Sequence, residues 1–141
     1  RTGRGQFNPP PALYEHPNPV KKEWTMTDFT IYHNPRCSKS RQTLALLGEH
    51  GVEPKIVEYL QNPPDPETLE TVLEKLGMEP QAAMRTKENE YRTLGLAGVT
   101  DSQSLIRAMT ENPILIERPI VVSGSRARIG RPPEKVLELL T

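Results

Sequence analysis

Regular alternation of apolar and polar positions begins at Phe29. Phe29-Thr30-Ile31-Tyr32 is a β-rich run cut off by Asn34-Pro35, which predicts a first strand. Ser38 to His50 is rich in helix formers, with Leu44, Leu47 and neighbouring Ala45 and Leu46 expected on the buried side and Gly51 placed to end the helix. Lys55 to Leu60 predicts a second strand, closed by Asn62-Pro63-Pro64. Two strands around one helix with short links make a βαβ unit, so parallel pairing of the strands follows. The clearest helix starts after Asp65. Pro66 suits its first position, Leu69, Val72, Leu73 and Leu76 fall at i, i+3, i+4 and i+7, and Gly77 ends it.

Pro80 to Asn112 has helical composition with breaks at Gly95 and Gly98, and Thr100-x-x-Gln103 resembles a capping box ahead of Leu105, Ile106 and Met109. This stretch predicts a small helical insertion. Ile120 to Val122, Ser123-Gly124-Ser125 and Arg126 to Ile129 predict a hairpin, and Pro132-Pro133 opens a last helix through Val136, Leu137 and Leu140. The order is βαβ, helices, ββα: an α/β domain with a helical insertion between two halves, and no internal repeat.

Composition changes this picture at one end. The chain has 141 residues, of which 35% are hydrophobic and 15 are proline, so part of it is expected not to pack. Pro9, Pro10, Pro11, Pro17 and Pro19 fall within residues 1–25, a stretch with no sustained period. We read residues 1–25 as a disordered Pro-rich tail, with a polyproline-type docking segment as the alternative, and residues 26–141 as one folded domain. Met26 directly precedes the first strand, and removal of the tail is expected to leave folding intact. Its Arg1, Arg4, Lys21 and Lys22 against Glu15 and Glu23 are too weak a charge for a transit peptide.

Charge narrows the partners. Lys and Arg total 18, as do Asp and Glu, with no basic stripe, so nucleic acid is not expected as a partner. Apolar runs as short as Ile114 to Ile116 cannot span a bilayer, which predicts a soluble, cytoplasmic protein without membrane association. The single cysteine rules out an internal disulfide, and His16 and His50 are too isolated for a metal site, so no metal is expected.

That cysteine, Cys37, lies between a strand end and a helix start in Tyr32-His33-Asn34-Pro35-Arg36-Cys37-Ser38-Lys39-Ser40-Arg41. Unpaired N–H groups and the positive dipole end of a helix stabilise a thiolate, and Arg36, Lys39 and Arg41 are expected to add cationic field. The same groups suit a bound oxyanion. A lone cysteine is often a small buried hydrophobe, but neighbours of Pro, Arg, Ser and Lys argue against that here.

Ile31-Tyr32-His33-Asn34-Pro35-x-Cys37-x-x-Ser40-Arg41 resembles the active-site loop of the ArsC-type, glutaredoxin-coupled arsenate reductases. Tyr59-Leu60-x-x-Pro63-Pro64, Met84-Arg85, Asn112-Pro113-Ile114-Leu115-Ile116-x-Arg118-Pro119-Ile120-Val121-Val122 and Gly130-Arg131-Pro132 are similar to that family in order and spacing, over roughly Thr27 to Leu140. Ser38-Lys39, in place of a small Gly-Thr pair, and Arg36 resemble a chromosomal subgroup. The resemblance implies a thioredoxin-like fold with a mixed four-stranded sheet and a cis-proline at Pro119. It implies Cys37 as nucleophile and Arg85, Arg118 and Arg131 as the residues that bind the oxyanion. A planar guanidinium can donate to two oxygens at once, which lysine cannot imitate. Arg92, Arg107, Arg126 and Arg128 are read as solvated or salt-bridged surface groups.

His33 matches the family's histidine near the nucleophile and has either an acid/base or a structural role. Ser40 either donates to the thiolate or serves as a helix-start residue. Cys37-x-x-Ser40 is a Cys-x-x-Cys motif without its resolving thiol, so that thiol must come from outside. The resemblance supplies it as glutathione, a co-substrate in place of any tightly bound cofactor, with glutaredoxin as the reductant of the mixed disulfide. The implied function is reduction of arsenate to arsenite through a covalent cysteine–arsenic intermediate, by a monomer. Two alternatives stand beside it: a glutathione-dependent monothiol transferase, and a non-enzymatic regulator resembling Spx that binds RNA polymerase. The missing second cysteine weighs against the latter.

Overall fold

The computed structural model describes residues 29–140. The proposed tail, residues 1–25, lies outside the described residues. Four strands, β1 (Phe29–His33), β2 (Lys55–Glu58), β3 (Ile120–Ser123) and β4 (Arg126–Ile129), form one sheet in the order β2-β1-β3-β4. β1 pairs parallel with β2 and antiparallel with β3, which pairs antiparallel with β4. Helix α1 (Ser38–Glu49) connects β1 to β2, and α2 (Pro66–Leu76), α3 (Asn89–Thr93) and α4 (Ser102–Glu111) occupy the insertion before β3. This is the predicted mixed four-stranded sheet with βαβ and ββα halves, in the thioredoxin-like arrangement.

Period-2 alternation divides the sheet between two cores. Ile120 and Val122 of β3 face a core built with Leu69, Val72 and Leu73 of α2 and Leu105, Ile106 and Met109 of α4. Val121 faces the other side, with Phe29 and Ile31 of β1, Leu47 of α1, and Val136 and Leu139 near the chain end. Helix α2 follows its pattern closely. Asp65 accepts from Thr68 N–H at 2.8 Å, Pro66 is the first helical residue, and Gly77 ends the helix at φ 70°. Burying Leu69, Val72 and Leu73 contributes about 1.5–3 kcal/mol each, as an upper estimate.

Other elements depart from expectation, each for a local reason. In α1 the buried residues are Ser40, Thr43 and Leu47; Leu44 and Leu46 are half-buried and Ala45 is exposed. Both polar members of that face are satisfied, Thr43 Oγ1 by donating to Lys39 O at 2.8 Å and Ser40 within the cysteine loop. β2 stops at Glu58, because the Gln61 and Asn62 N–H groups both fold back onto Glu58 O and turn the chain at Tyr59-Leu60. Helix α4 is capped by Asp101, whose carboxylate accepts from Ser104 N–H at 3.1 Å, rather than by Thr100. The hairpin loop is Gly124-Ser125 alone, since Ser123 pairs with Arg126 across the ladder. The last helix is a 3-10 helix, Pro133–Leu140, whose three-residue repeat buries Pro133, Val136 and Leu139 and leaves Leu137 and Leu140 half-buried.

Gly130 fixes how closely the end of β4 approaches α1. Its N–H donates to Pro119 O at 2.9 Å, and a Cβ there would lie 2.5 Å from Thr43 Oγ1 and 3.0 Å from Pro119 Cγ. Gly130→Ala is therefore expected to cost about 1–3 kcal/mol through overpacking and to displace the adjoining Arg131. Thermal melting checks this; an unchanged melting temperature would show that the contact yields freely.

Candidate active site

The loop after β1 is held by its own polar groups. Asn34 accepts at its carbonyl from Cys37 N–H and at Oδ1 from Arg36 N–H, both at 3.0 Å, an Asx-type turn. Ser40, fully buried, accepts from Asn34 N–H at 3.0 Å and shares a 2.6 Å hydrogen bond with His33 Nδ1. Burial lowers the His33 pKa, opposed by Glu58 and aided by Arg41. His33 is 5% exposed, and Nδ1, one of its two ring nitrogens, is taken by Ser40. The geometry gives the His33 ring and the Ser40 hydroxyl a place behind the loop, tying the strand end to the helix start, while the Ser40 backbone N–H turns to the sulfur.

Cys37 is the residue before the first turn of α1, at φ −94° and ψ 124°, and is partly exposed. Burial pushes its thiol up, but the Ser40 N–H, the Arg118 guanidinium and the Lys39 N–H outweigh this and hold it below its ordinary value. The cation is thus Arg118, from a distant part of the chain. The side chains of Arg36, Lys39 and Arg41 are not among the leading contributors, and Arg41 Nη1 donates instead to Pro35 O at 2.8 Å. Alkylation of Cys37 by iodoacetamide is expected to show a midpoint below the free-thiol value of about 8.5. A midpoint at or above that value would contradict the activated thiol.

A short antiparallel pairing brings the arginine-bearing segments together. Met84 bridges Ile116, Arg85 N–H donates to Leu115 O at 2.7 Å, and Glu117 N–H donates to Ala83 O at 2.9 Å. Arg131 Nη2 lies 3.8 Å from Cys37 Sγ, while its Nε donates to Arg118 O at 2.7 Å. Peptide bonds Arg118–Pro119 and Arg131–Pro132 are both cis, the first as the resemblance implied.

Arg85 stands differently. Its Nε and Nη2 meet Glu88 Oε2 at 3.0 and 2.9 Å, and its Nη1 meets Glu117 Oε1 at 3.3 Å. Glu117 Oε1 also lies 3.2 Å from Arg131 Nε, so Arg85 reaches the thiol cluster through this one carboxylate. The structure brings Cys37, Arg118 and Arg131 into direct association and places Arg85 one residue away. Glu117, Glu88 and Tyr59 were not singled out as site residues from the sequence. The signal for Glu117 was its place beside Arg118, and for Tyr59 its place within a family-like stretch.

Arg85, Glu117 and Arg131, with Lys87, line a cavity of about 310 Å³. Among the surface arginines, Arg128 pairs with Glu138 at 2.7 Å and Arg126 donates to the carbonyls of Glu138 and Leu139. Among the described residues, no cluster of three or more His, Cys, Asp or Glu could hold a metal, and no helix is long and apolar enough to cross a membrane.

Known proteins share this arrangement of the chain. The uncharacterized protein YfgD of Escherichia coli K12 is 57% identical over 112 residues, covering 78% of this chain and 94% of that protein. An arsenate reductase of Haemophilus influenzae is 50% identical over 112 residues, 78% of this chain and 97% of that protein. The solved structure of an arsenate reductase from Vibrio cholerae superposes with a TM-score of 0.76 at 50% identity, covering 78% of this chain and 95% of that one. The ArsC family model matches residues 32–139, a span from within β1 to the final 3-10 helix that contains the thiol and all three arginines. On that match, this chain belongs to the ArsC family.

Proposed function

We propose that this protein reduces arsenate to arsenite at Cys37, with glutathione as co-substrate and glutaredoxin as the electron donor. The observation that carries the reading is a single thiol held toward thiolate by a helix start and Arg118, with Arg131 Nη2 at 3.8 Å. Relatives at 50% identity that are arsenate reductases support the choice of oxyanion. In the first step the Cys37 thiolate attacks arsenic(V), forming an S–As bond as an arsenate hydroxyl, protonated by solvent, leaves as water. Arg118 and Arg131 bind the remaining oxygens and stabilise the charge as it moves, and Arg85 follows once an oxygen replaces Glu117. Glutathione thiol then attacks the Cys37 sulfur. The S–As electron pair passes to arsenic, which leaves as arsenite, and Cys37 is left as a mixed disulfide that a glutaredoxin thiol reduces. The two electrons come from the two thiols. Lys87, on the cavity that Arg85, Arg131 and Glu117 also line, offers positive charge to a carboxylate of glutathione.

The test supplies arsenate and the protein with glutathione and glutaredoxin in one vessel, and with thioredoxin and its reductase in another, following NADPH oxidation. Turnover in the first alone supports the scheme, and turnover in the second alone refutes the reductant. The second reading, a glutathione-dependent monothiol transferase, is favoured by Ser40: its hydroxyl is occupied by His33 and Asn34, and no second thiol stands near Cys37. Absence of arsenate turnover in either vessel, with glutathione exchange at Cys37 retained, would place that reading first.

A further inference from the structure

Among the described residues three buried side-chain polar atoms lack a hydrogen-bond partner: Tyr59 OH, Arg118 Nε and Thr110 Oγ1. The first two lie together. Tyr59 follows Glu58, which is in register with His33, so it leaves the sheet at the end from which the Cys37 loop emerges. Its ring packs beside Ile116 and Ile120, the residues two before and two after Arg118. Tyr59 is 1% exposed. The hydroxyl and the Arg118 guanidinium are close enough to interact, yet are not aligned as a formed hydrogen bond.

Buried donors are seldom left unpaired, because each forfeits its hydration. Two such donors side by side at a reactive thiol, one of them on a cation, are matched to an acceptor oxygen that the protein does not supply. We propose that Tyr59 is an oxyanion-binding residue: its O–H and the Arg118 Nε–H converge on one oxygen of a tetrahedral oxyanion held at Cys37. This rests on the reading of the Cys37 loop as an oxyanion site and adds a neutral donor to its arginines. Burial pushes the Tyr59 phenol up, against the opposing pull of Arg118 and Arg85, so the hydroxyl keeps its proton near neutral pH and donates it in a hydrogen bond. A neutral donor suits the deep side of the site, where a further cation would be desolvated.

The variant Tyr59→Phe separates this role from a packing role, because it removes one unpaired oxygen and keeps the ring. Arsenate protection of Cys37 from iodoacetamide is measured together with the melting temperature. The half-protecting arsenate concentration is expected to rise about ten- to a hundredfold while the melting temperature holds or rises. Unchanged protection would overturn the proposal, whatever the stability. Should Tyr59→Phe lose both, Ile120→Val provides the comparison at a similar melting temperature. An equal loss of protection there assigns the effect to packing and overturns the proposal, and retained protection upholds it. Failure of arsenate to protect the wild-type protein would appear before any variant is made; it would refute the oxyanion reading itself, and the proposal with it.

Discussion

Cys37→Ser is expected to abolish turnover, by at least about a thousandfold, while leaving the protein folded. The side chain is partly exposed, makes no cap hydrogen bond, and belongs to neither buried core. Its role lies instead in ionisation. Backbone N–H groups of Ser40 and Lys39 and the charge of Arg118 hold the thiol below its ordinary value, but a serine hydroxyl starts far too high for the same groups to ionise it. Serine also cannot form the mixed disulfide through which electrons enter in the proposed scheme. With one cysteine in the chain, no second thiol can take over. Circular dichroism and melting establish that the variant is folded, and residual turnover near wild type would remove Cys37 from the chemistry.

Arg118→Lys is expected to reduce turnover nearly as much as Arg118→Ala. Lysine keeps the charge beside Cys37 but loses the planar fork that can donate to two oxygens at once. Losing one charge-assisted bond in a partly buried site costs about 2–3 kcal/mol, which is tens to hundreds of fold in rate. Arg131 is expected to behave in the same direction, since its Nε is anchored on Arg118 O and its Nη2 faces the sulfur. Arg85 should show the smallest effect of the three because Glu88 and Glu117 already occupy its donors. Steady-state kinetics with arsenate check the series. Wild-type kinetics in Arg118→Ala would contradict the role.

What the sequence made legible depended on how local the cause was. Helix α2 was readable because Asp65, Pro66, Gly77 and the apolar spacing all act within one segment. In helix α1 the apolar reading holds at Leu47, is half met at Leu44 and Leu46 and fails at exposed Ala45, and it misses the polar half of the buried face. Apolar periodicity assigns burial to Leu and Ala, whereas Ser40 and Thr43 are buried with their hydroxyls satisfied by His33, Asn34 and the Lys39 carbonyl. The chain end was read as an ordinary helix, although burial at Pro133, Val136 and Leu139 repeats every three residues. At the site, the resemblance marked Cys37 and the arginines. The source of the positive field was not visible, because it depends on the pairing of residues 83–85 with 115–117 and on the approach of β4 through Gly130. Glu117 and Tyr59 gain significance only from the side chains they meet in space.

The most direct test of the central claim is intact-mass analysis of the protein incubated with reduced glutathione, with and without arsenate. Under anaerobic conditions, reduced glutathione freed of its disulfide carries no oxidant, so a Cys37–glutathione disulfide can form only if arsenate accepts the two electrons. The account predicts a single glutathione adduct on Cys37 that appears with arsenate, is accompanied by arsenite, and is absent from Cys37→Ser. An adduct that forms equally without arsenate, or arsenite produced with Cys37 replaced, would contradict it.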